Sequence, residues 1–203
     1  MVDIRDDLKL IAEMVEPNSR VLDVGCGDGA LLDHLAHTKN VDGRGIELSM
    51  DGVRQCVAHG LSVIQGDAET DLKDYPAEAF DYVILGQTLQ AMKQPRDVLE
   101  MLCRIGRRAI VSVPNFGYWR VRMQLMLTGR MPVTEKLGYQ WWETPNIHFC
   151  TLRDFVVLTE EMGITIEQTR IINRAGRVTS HAHSGFANLL GEQGVFLLRR
   201  NGN

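Results

Sequence analysis

The segment between residues 20 and 35 constrains the fold most, because an apolar strand runs through a glycine-rich loop directly into a helical pattern. The strand is predicted at 20–24 and ends in Gly25-Cys26-Gly27-Asp28-Gly29. Leucines then recur on one face of a helix, at Leu31, Leu32 and Leu35. A strand that enters a helix through a glycine turn is typical of the first βαβ unit of an open α/β sheet.

Short apolar segments alternate with helical patterns along most of the chain. Further strands are predicted at 43–48, 61–64, 80–85, 108–113, 164–172 and 195–199. Further helices are predicted at 4–15, at 51–59 with Val53 and Val57 inward, at 95–103, and at 151–162 behind a Thr151–Asp154 capping box. This alternation favours a parallel, doubly wound sheet with both faces covered by helices.

Composition excludes several classes of protein. The chain has 203 residues, 26 acidic against 22 basic side chains and a net charge of −4, so it has no electrostatic footprint for duplex nucleic acid. No apolar run reaches the roughly 18 residues of a membrane span, and the acidic residues 1–7 lack the apolar core of a secretory signal. We therefore expect a single cytoplasmic domain over residues 1–203, with no membrane partner.

Cysteines and histidines follow no metal-ligand spacing. The four cysteines are scattered, as is usual in a reducing compartment: Cys26, Cys56, Cys103 and Cys150. Two pairs of histidines are close in sequence, His34 with His37 and His181 with His183. Because a zinc site takes three or four protein ligands, no metal is predicted.

The alternation breaks at an insertion, residues 116–147. The insertion is rich in aromatic residues and methionine: Phe116, Tyr118, Trp119, Met123, Met126, Met131, Tyr139, Trp141 and Trp142. Such residues are enriched at protein interfaces and adapt to irregular surfaces, but Trp and Tyr also line ligand pockets. Three interpretations stay open: a lid over a small acceptor, a surface for a partner protein, or core packing.

The glycine loop alone fits two kinds of ligand. In an open α/β sheet, ligands bind beyond the carboxyl ends of the strands, where glycines allow close approach. The spacing Gly25-x-Gly27-x-x-Ala30, followed by Glu47 where a ribose-binding acid belongs, also matches the relaxed dinucleotide pattern.

Carboxylates around the loop shift the balance away from a dinucleotide. Asp23 and Asp28 would repel a pyrophosphate, whereas they suit a ligand that carries an ammonium and a sulfonium. Asp67, after the third strand, is placed to meet the exocyclic amine of an adenine. The alternative is that Asp23 and Asp67 only cap loops.

Four segments together resemble motifs of the class I S-adenosylmethionine-dependent methyltransferases. Residues 21–29 resemble motif I, 45–48 the ribose-binding strand, 66–68 the adenine motif and 80–85 the motif on strand four. The match runs in order over residues 18–172. The resemblance implies a three-layer, doubly wound, Rossmann-like α/β fold with a mostly parallel seven-stranded sheet. Its last strand is antiparallel and lies next to the one before it.

At a finer level the chain is similar to the methionine biosynthesis protein MetW family. The segments that carry this similarity are 21–29, 85–90, 113–119, 141–148 and 191–196. The resemblance implies support of homoserine O-acyltransferase through direct association, rather than an established methyl transfer. It also implies S-adenosylmethionine or S-adenosylhomocysteine as the ligand.

The ligand-binding residues expected from these motifs are Asp23, Gly25, Cys26, Gly27, Glu47, Leu48, Asp67, Ala68 and Gly86. Glu47 is expected to accept hydrogen bonds from two ribose hydroxyls.

No catalytic residue is predicted. A methyl transfer needs an acceptor in line with the sulfonium, and a base only where the acceptor must lose a proton. Polar candidates at strand ends and beside the insertion are Gln87, Thr88, Asn115, Tyr118 and His148. His148 is the one plausible base, because its ordinary pKa lies near neutrality; a backbone-bonding role before the Thr151 cap is the alternative.

Two functions remain open on the sequence. One is a ligand-binding module that associates with the acyltransferase, and the other is a small-molecule O- or N-methyltransferase. A dinucleotide oxidoreductase is a third and more distant alternative.

Overall fold

The computed structural model describes residues 4–134, 137–173, 176, 178–179 and 185–201. The helices of this part are α1 (Asp6–Met14), α2 (Ala30–Lys39), α3 (Met50–Ala58), α4 (Ala68–Asp71), α5 (Pro95–Ile105), α6 (Trp119–Thr128), α7 (Leu152–Glu161) and α8 (Gly185–Leu190). Its strands are β1 (Arg20–Val24), β2 (Asp42–Glu47), β3 (Ser62–Gln65), β4 (Phe80–Gly86), β5 (Gly106–Pro114), β6 (Ile164–Ile172), β7 (Val178–Thr179) and β8 (Gln193–Arg200). Two short 3-10 turns lie at Leu72–Asp74 and Leu89–Ala91.

The strands form one sheet in the order β3-β2-β1-β4-β5-β8-β6-β7. Strands β1 to β5 pair in parallel, and β8 lies antiparallel between β5 and β6. The predicted doubly wound α/β fold with an inserted antiparallel strand is confirmed. The difference is β7, a two-residue edge strand beside β6 that adds to the seven expected.

Helices cover both faces of the sheet. On one face the strands pack against α1 and α2, where Ile11 and Leu35 are fully buried. On the other face they pack against α5 and α7, where Leu99 and Phe155 are buried. The edge strands are less covered: Ile64 of β3 and Val178 of β7 are exposed.

Strand register brings the glycine loop and the predicted acids to one edge. Val24 at the end of β1 pairs with Ile46 of β2 and with Leu85 of β4, and Glu47 pairs with Gln65 of β3. The loops that follow these four strands therefore begin side by side, as the carboxyl ends of parallel strands do.

The buried face of helix α3 differs from the predicted one. Val57 is exposed rather than inward, Val53 is half-buried, and Cys56 is fully buried. The inward face is centred on Cys56 because the helix packs tightly on the glycine loop: a Cβ added at Gly29 would lie 2.9 Å from the Cys56 Sγ.

In the second half of the chain, one predicted feature is confirmed and one helix was not predicted. The capping box of α7 is confirmed, since Thr151 Oγ1 accepts from the Asp154 N–H and Asp154 Oδ2 from the Thr151 N–H. The insertion holds a ten-residue helix, α6, that the sequence pattern did not predict. His181 and His183 lie outside the described residues.

Candidate ligand-binding site

The loop after β1 has a backbone that requires glycine. Gly25, Gly27 and Gly29 have φ angles of +73°, +58° and +79°, in the left-handed region that other residues rarely adopt. The Gly25 N–H donates to the Ile46 carbonyl at 2.7 Å, which holds the loop against β2. A Cβ added at Gly25 would lie 3.2 Å from Thr88 Oγ1, so the loop also lies close to the turn after β4.

Glu47 fixes the other side of this loop. Its Oε2 accepts from the Gly27 N–H at 2.8 Å, and its Oε1 accepts from the Ser49 N–H at 2.8 Å. The start of α3 packs closely on this carboxylate, since a Cβ at Gly52 would lie 2.8 Å from Glu47 Cγ. A carboxylate has about four lone-pair sites, so Glu47 keeps capacity for the hydroxyls of a ligand.

Asp23 is a buried carboxylate beneath the loop. It is 4% exposed, and its side chain accepts no hydrogen bond from the part of the chain that the structure describes. Burial raises the pKa of this carboxyl from 3.8 to about 7, with the Arg5 charge opposing the rise and the Glu47 charge adding to it. A buried carboxylate that accepts no hydrogen bond favours a positively charged group beside it.

A cavity of about 250 Å³ opens above Asp23. Five of the predicted site residues line it: Asp23, Gly25, Cys26, Gly27 and Gly86. Sequence reasoning missed the N-terminal part of the wall, which consists of Ile4, Arg5 and Leu8. The remaining lining residues, Asp28, Ala30 and Leu31, belong to the loop and to the start of α2.

The start of α1 is anchored over this cavity by a buried acid. Asp7 is 1% exposed and accepts two hydrogen bonds from the Arg5 guanidinium, at 3.2 and 3.1 Å. It also accepts one from Gln87 Nε2 at 3.0 Å. Gln87 itself has a φ of +54°, unusual for a residue other than glycine. Since acidic residues are common in an exposed first turn, no local pattern in the sequence marks Asp7 as buried.

The residues predicted to hold the adenosine part lie along the same edge but do not line this cavity. Leu48 is 68% exposed just after β2, and Gln65 Nε2 donates to its carbonyl at 3.3 Å. Asp67 caps α4, since its Oδ1 accepts from the Glu69 N–H at 2.9 Å, and the next residue, Ala68, is buried. The capping role of Asp67 is thus observed, and its contact with an adenine stays a prediction.

Asn115, one of the candidate catalytic residues, is a structural residue. It is buried, and its Nδ2 donates to the carbonyls of Asn188 and Gly191 at 2.8 and 2.7 Å. Its Oδ1 accepts from the N–H groups of Gly117 and Leu152. Three of these bonds tie the end of β5 to α8, to Gly191 before β8 and to the start of α7, and the bond from Gly117 closes the turn after β5.

The remaining polar candidates are also held by local contacts. Thr88 Oγ1 donates to the Gly86 carbonyl at 2.9 Å. Tyr118 is buried in a small cluster with Val121 and Leu137. His148 is exposed, and its backbone N–H donates to the Gln90 carbonyl at 3.0 Å.

The aromatic residues of the insertion are partly buried and partly exposed. Tyr118 belongs to packing, whereas Trp119, Trp141 and Trp142 are exposed. The described residues of the insertion are not among those that line the cavity above Asp23.

Comparison with protein families gives a match over nearly the whole chain. Residues 5–198 match the model of the family described as methionine biosynthesis protein MetW. A relative from Rhodopirellula baltica, named bifunctional methionine biosynthesis protein MetXA/MetW, is 31% identical over 176 residues, which are 82% of this chain and 28% of that protein. A rice protein named 2-methyl-6-phytyl-1,4-hydroquinone methyltransferase 1 is 34% identical over 131 residues, which are 59% of this chain and 38% of that protein. The chain thus spans well under half the length of these two curated relatives.

Solved structures share the fold at low sequence identity. A Thermotoga maritima S-adenosylmethionine-dependent methyltransferase, described as a possible histamine N-methyltransferase, has a TM-score of 0.70 and 18% identity, over 97% of this chain and 88% of that one. The [4+2]-cyclase SpnF has a TM-score of 0.67 and 18% identity, over 97% of this chain and 81% of that one. None of the helices that the structure describes is long and apolar enough to cross a membrane.

Proposed function

This chain belongs to the methionine biosynthesis protein MetW family, and we propose that it binds S-adenosylmethionine or S-adenosylhomocysteine and acts as a partner and activator of homoserine O-acyltransferase. The single observation that carries the ligand is the buried carboxylate of Asp23, which faces the cavity beneath the glycine loop and accepts no hydrogen bond from the described residues. We expect this role to be carried out in the cytoplasm.

The charge and shape of the site support an S-adenosyl ligand. Asp23 faces the cavity together with Asp28, so the site favours a cationic amino-acid group and disfavours a pyrophosphate. The loop is narrow because Gly25 packs on Thr88, and Glu47 lies at its outer side with free acceptor capacity. The exposed Leu48 and the acid Asp67 continue along the edge, where an adenosine would extend.

The relative from Rhodopirellula baltica supports the partnership. Its name joins MetXA and MetW in one bifunctional protein, and this chain matches 28% of it. Two functions joined in one polypeptide are held at a high effective concentration. Separate chains would need a docking surface to achieve the same proximity.

The polar residues at the strand ends support binding over catalysis. The Asn115 side chain makes four hydrogen bonds, all to backbone groups. Tyr118 is packed in a cluster, and His148 is exposed outside the cavity. With these side chains engaged elsewhere or outside the cavity, the described site suits a protein whose ligand is sensed rather than consumed. Because this ligand derives from methionine, its binding would report pathway output to an early step.

Calorimetry tests the ligand. We expect saturable binding of S-adenosylhomocysteine to the purified chain, with NAD binding much more weakly. Loss of S-adenosylhomocysteine binding in Asp23→Ala, in a variant that still unfolds cooperatively, would support the site. Tighter binding of NAD would overturn it and favour a dinucleotide.

A labelled methyl group tests the rival function, a small-molecule methyltransferase. The chain is incubated with S-adenosylmethionine carrying a labelled methyl group and with a metabolite extract. We expect no discrete labelled product above that formed by Gly25→Arg, a variant in which the loop is blocked. A product present with the native chain and absent with Gly25→Arg would replace the partner role with catalysis.

A further inference from the structure

The cavity above Asp23 has charges of both signs in its wall. In the described chain its lining includes two acids, Asp23 and Asp28, and one base, Arg5. A ligand with positive charges alone, such as a polyamine, would be attracted by the acids and repelled by Arg5, and like charges brought together cost binding energy. The lining therefore suits a ligand that carries a negative group as well as a positive one.

The Arg5 guanidinium is held in a fixed orientation at the start of α1. Its Nε and Nη2 donate to the two carboxylate oxygens of Asp7, at 3.2 and 3.1 Å. Such a bidentate pair fixes the plane of the guanidinium as well as its position. Asp7 is itself buried and accepts a hydrogen bond from Gln87 Nε2, which ties this pair to the turn after β4. Arg5 is thus preorganised, which lowers the cost of ordering it around a ligand.

Part of the Arg5 guanidinium remains available for a ligand. A guanidinium has five N–H donors, and the bonds to Asp7 use Nε and Nη2. Among the described residues, none accepts a hydrogen bond from Nη1, and the side chain is 59% exposed. The Arg5 charge also acts on Asp23, because it opposes the rise in the pKa of that buried carboxyl. A free cationic donor and a buried acid therefore face the same cavity.

This pair of charges matches the head group of an α-amino acid. An α-amino acid carries an ammonium and a carboxylate on one carbon atom, so the two groups are close together and opposite in sign. The ammonium suits the buried carboxylate of Asp23, and the carboxylate suits the Nη1 donors of Arg5. Hydrogen bonds between a guanidinium and a carboxylate are among the strong ones in proteins.

We propose that Arg5 is a specificity-determining residue that binds the α-carboxylate of the S-adenosyl ligand, opposite the ammonium at Asp23. This inference rests on the proposed function, which supplies the ligand. It makes the chain selective for the intact amino acid group. Adenosyl compounds that keep the ammonium but have lost the carboxylate leave Arg5 without a partner and are bound more weakly.

Calorimetric titration of the purified chain with two ligands tests this role. One ligand is S-adenosylhomocysteine, and the other is its decarboxylated form, which keeps the ammonium. We expect the native chain to bind the decarboxylated form roughly tenfold or more weakly, because a hydrogen bond between charged groups is lost. Arg5→Met should lose a similar factor in affinity for S-adenosylhomocysteine and keep its affinity for the decarboxylated form.

Two further variants complete the comparison. Arg5→Lys keeps a positive charge beside Asp7 but lacks the planar fork, so its preference for S-adenosylhomocysteine should lie between those of the native chain and Arg5→Met. Arg96→Met is the matched control, because Arg96 is also 59% exposed and also forms an ion pair, with Glu161 on α7, outside the cavity lining. It should bind both ligands as the native chain does.

The outcomes separate the role of Arg5 from the proposed function. If Arg5→Met loses the same factor for both ligands, Arg5 only supports the shape of the cavity and its assignment is wrong. If Arg5→Met binds S-adenosylhomocysteine as tightly as the native chain, the carboxylate lies elsewhere, and the assignment is wrong while the ligand stands. If the native chain binds neither compound, the proposed ligand fails and the role of Arg5 fails with it.

Discussion

Glu47 and Gly27 are joined by a 2.8 Å hydrogen bond from the backbone N–H of the glycine to the Glu47 carboxylate. This bond connects the end of β2 to the loop after β1, and the same carboxylate also holds the Ser49 N–H before α3. One acid thus fixes three elements around the proposed ligand and keeps lone pairs for ribose hydroxyls.

Removing this carboxylate should weaken ligand binding. Glu47→Ala loses both the predicted hydroxyl contacts and the support of the Gly27 loop, so we expect its affinity for S-adenosylhomocysteine to fall by roughly 1–3 kcal/mol. Calorimetric titration measures this loss. Glu100→Ala is the control, since Glu100 is an exposed acid on α5. An unchanged affinity in Glu47→Ala would contradict the placement of the ribose.

Binding of a cationic ligand should depend on the charge of Asp23. Because burial raises the pKa of this carboxyl to about 7, much of it is protonated below neutrality in the ligand-free chain. We expect the affinity for S-adenosylmethionine to increase as the pH rises from about 6 to about 8. Asp23→Asn should bind weakly and show little change across this range. A flat profile in the native chain would count against an ammonium or sulfonium beside Asp23.

The same carboxyl should make the stability of the ligand-free chain fall with increasing pH. The folded chain keeps a proton on Asp23 up to a pH of about 7, whereas the unfolded chain loses it near its ordinary pKa of 3.8. The free energy of unfolding therefore decreases between about pH 4 and about pH 7, and the decrease is complete above that. Thermal unfolding of the native chain and of Asp23→Asn measures it, and the native chain should lose stability relative to the variant over this window. Parallel pH profiles would show that Asp23 is not protonated in the fold.

A comparison of Gly25→Ala with Gly129→Ala should separate the cost of backbone strain from the loss of ligand binding. Gly25→Ala forces a side chain into a φ of +73° and within 3.2 Å of Thr88 Oγ1, so we expect a stability loss on the order of 1–2 kcal/mol and loss of ligand affinity. Gly129→Ala is the matched control, because Gly129 has a φ of +62° with open space around it and ends α6. It should lose stability without losing affinity for S-adenosylhomocysteine. Equal affinity in both variants would exclude the loop from the site.

Asn115→Ala should lower stability substantially. It leaves two carbonyls and two N–H groups without their partner, and each buried group left unpaired costs about 1–3 kcal/mol. Chemical denaturation measures the loss, and Asn146→Ala, at a half-buried position in the insertion, should be nearly neutral. A stable Asn115→Ala variant would return Asn115 to the catalytic candidates.

Patterns in the sequence predict those parts of the site whose residues are close together along the chain. Gly25 and Gly27 are recognisable because a strand, a tight loop and a helix follow one another directly, and Asp23 is placed by the same segment. The inward face of α3 was predicted around Val53 and Val57, but contact with the glycine loop rotates it to Cys56. Which face a short helix buries is decided by its neighbour rather than by its own pattern.

Contacts between distant parts of the chain could not be predicted. Ile4 and Arg5 line the cavity because Asp7 accepts a hydrogen bond from Gln87, a residue that follows β4 and is distant from Asp7 in the sequence. Helix α6 escaped prediction because its apolar residues follow no single stripe. Both features depend on packing partners that no local periodicity records.

The rate of purified homoserine O-acyltransferase, measured with and without this chain, tests the central claim most directly. Homoserine and the acyl donor are held fixed, the chain is added at a one-to-one ratio, and co-elution is followed in the same samples. The proposed role predicts a higher rate with the chain present and a complex that elutes as one species. An unchanged rate together with separate elution of the two proteins would contradict it.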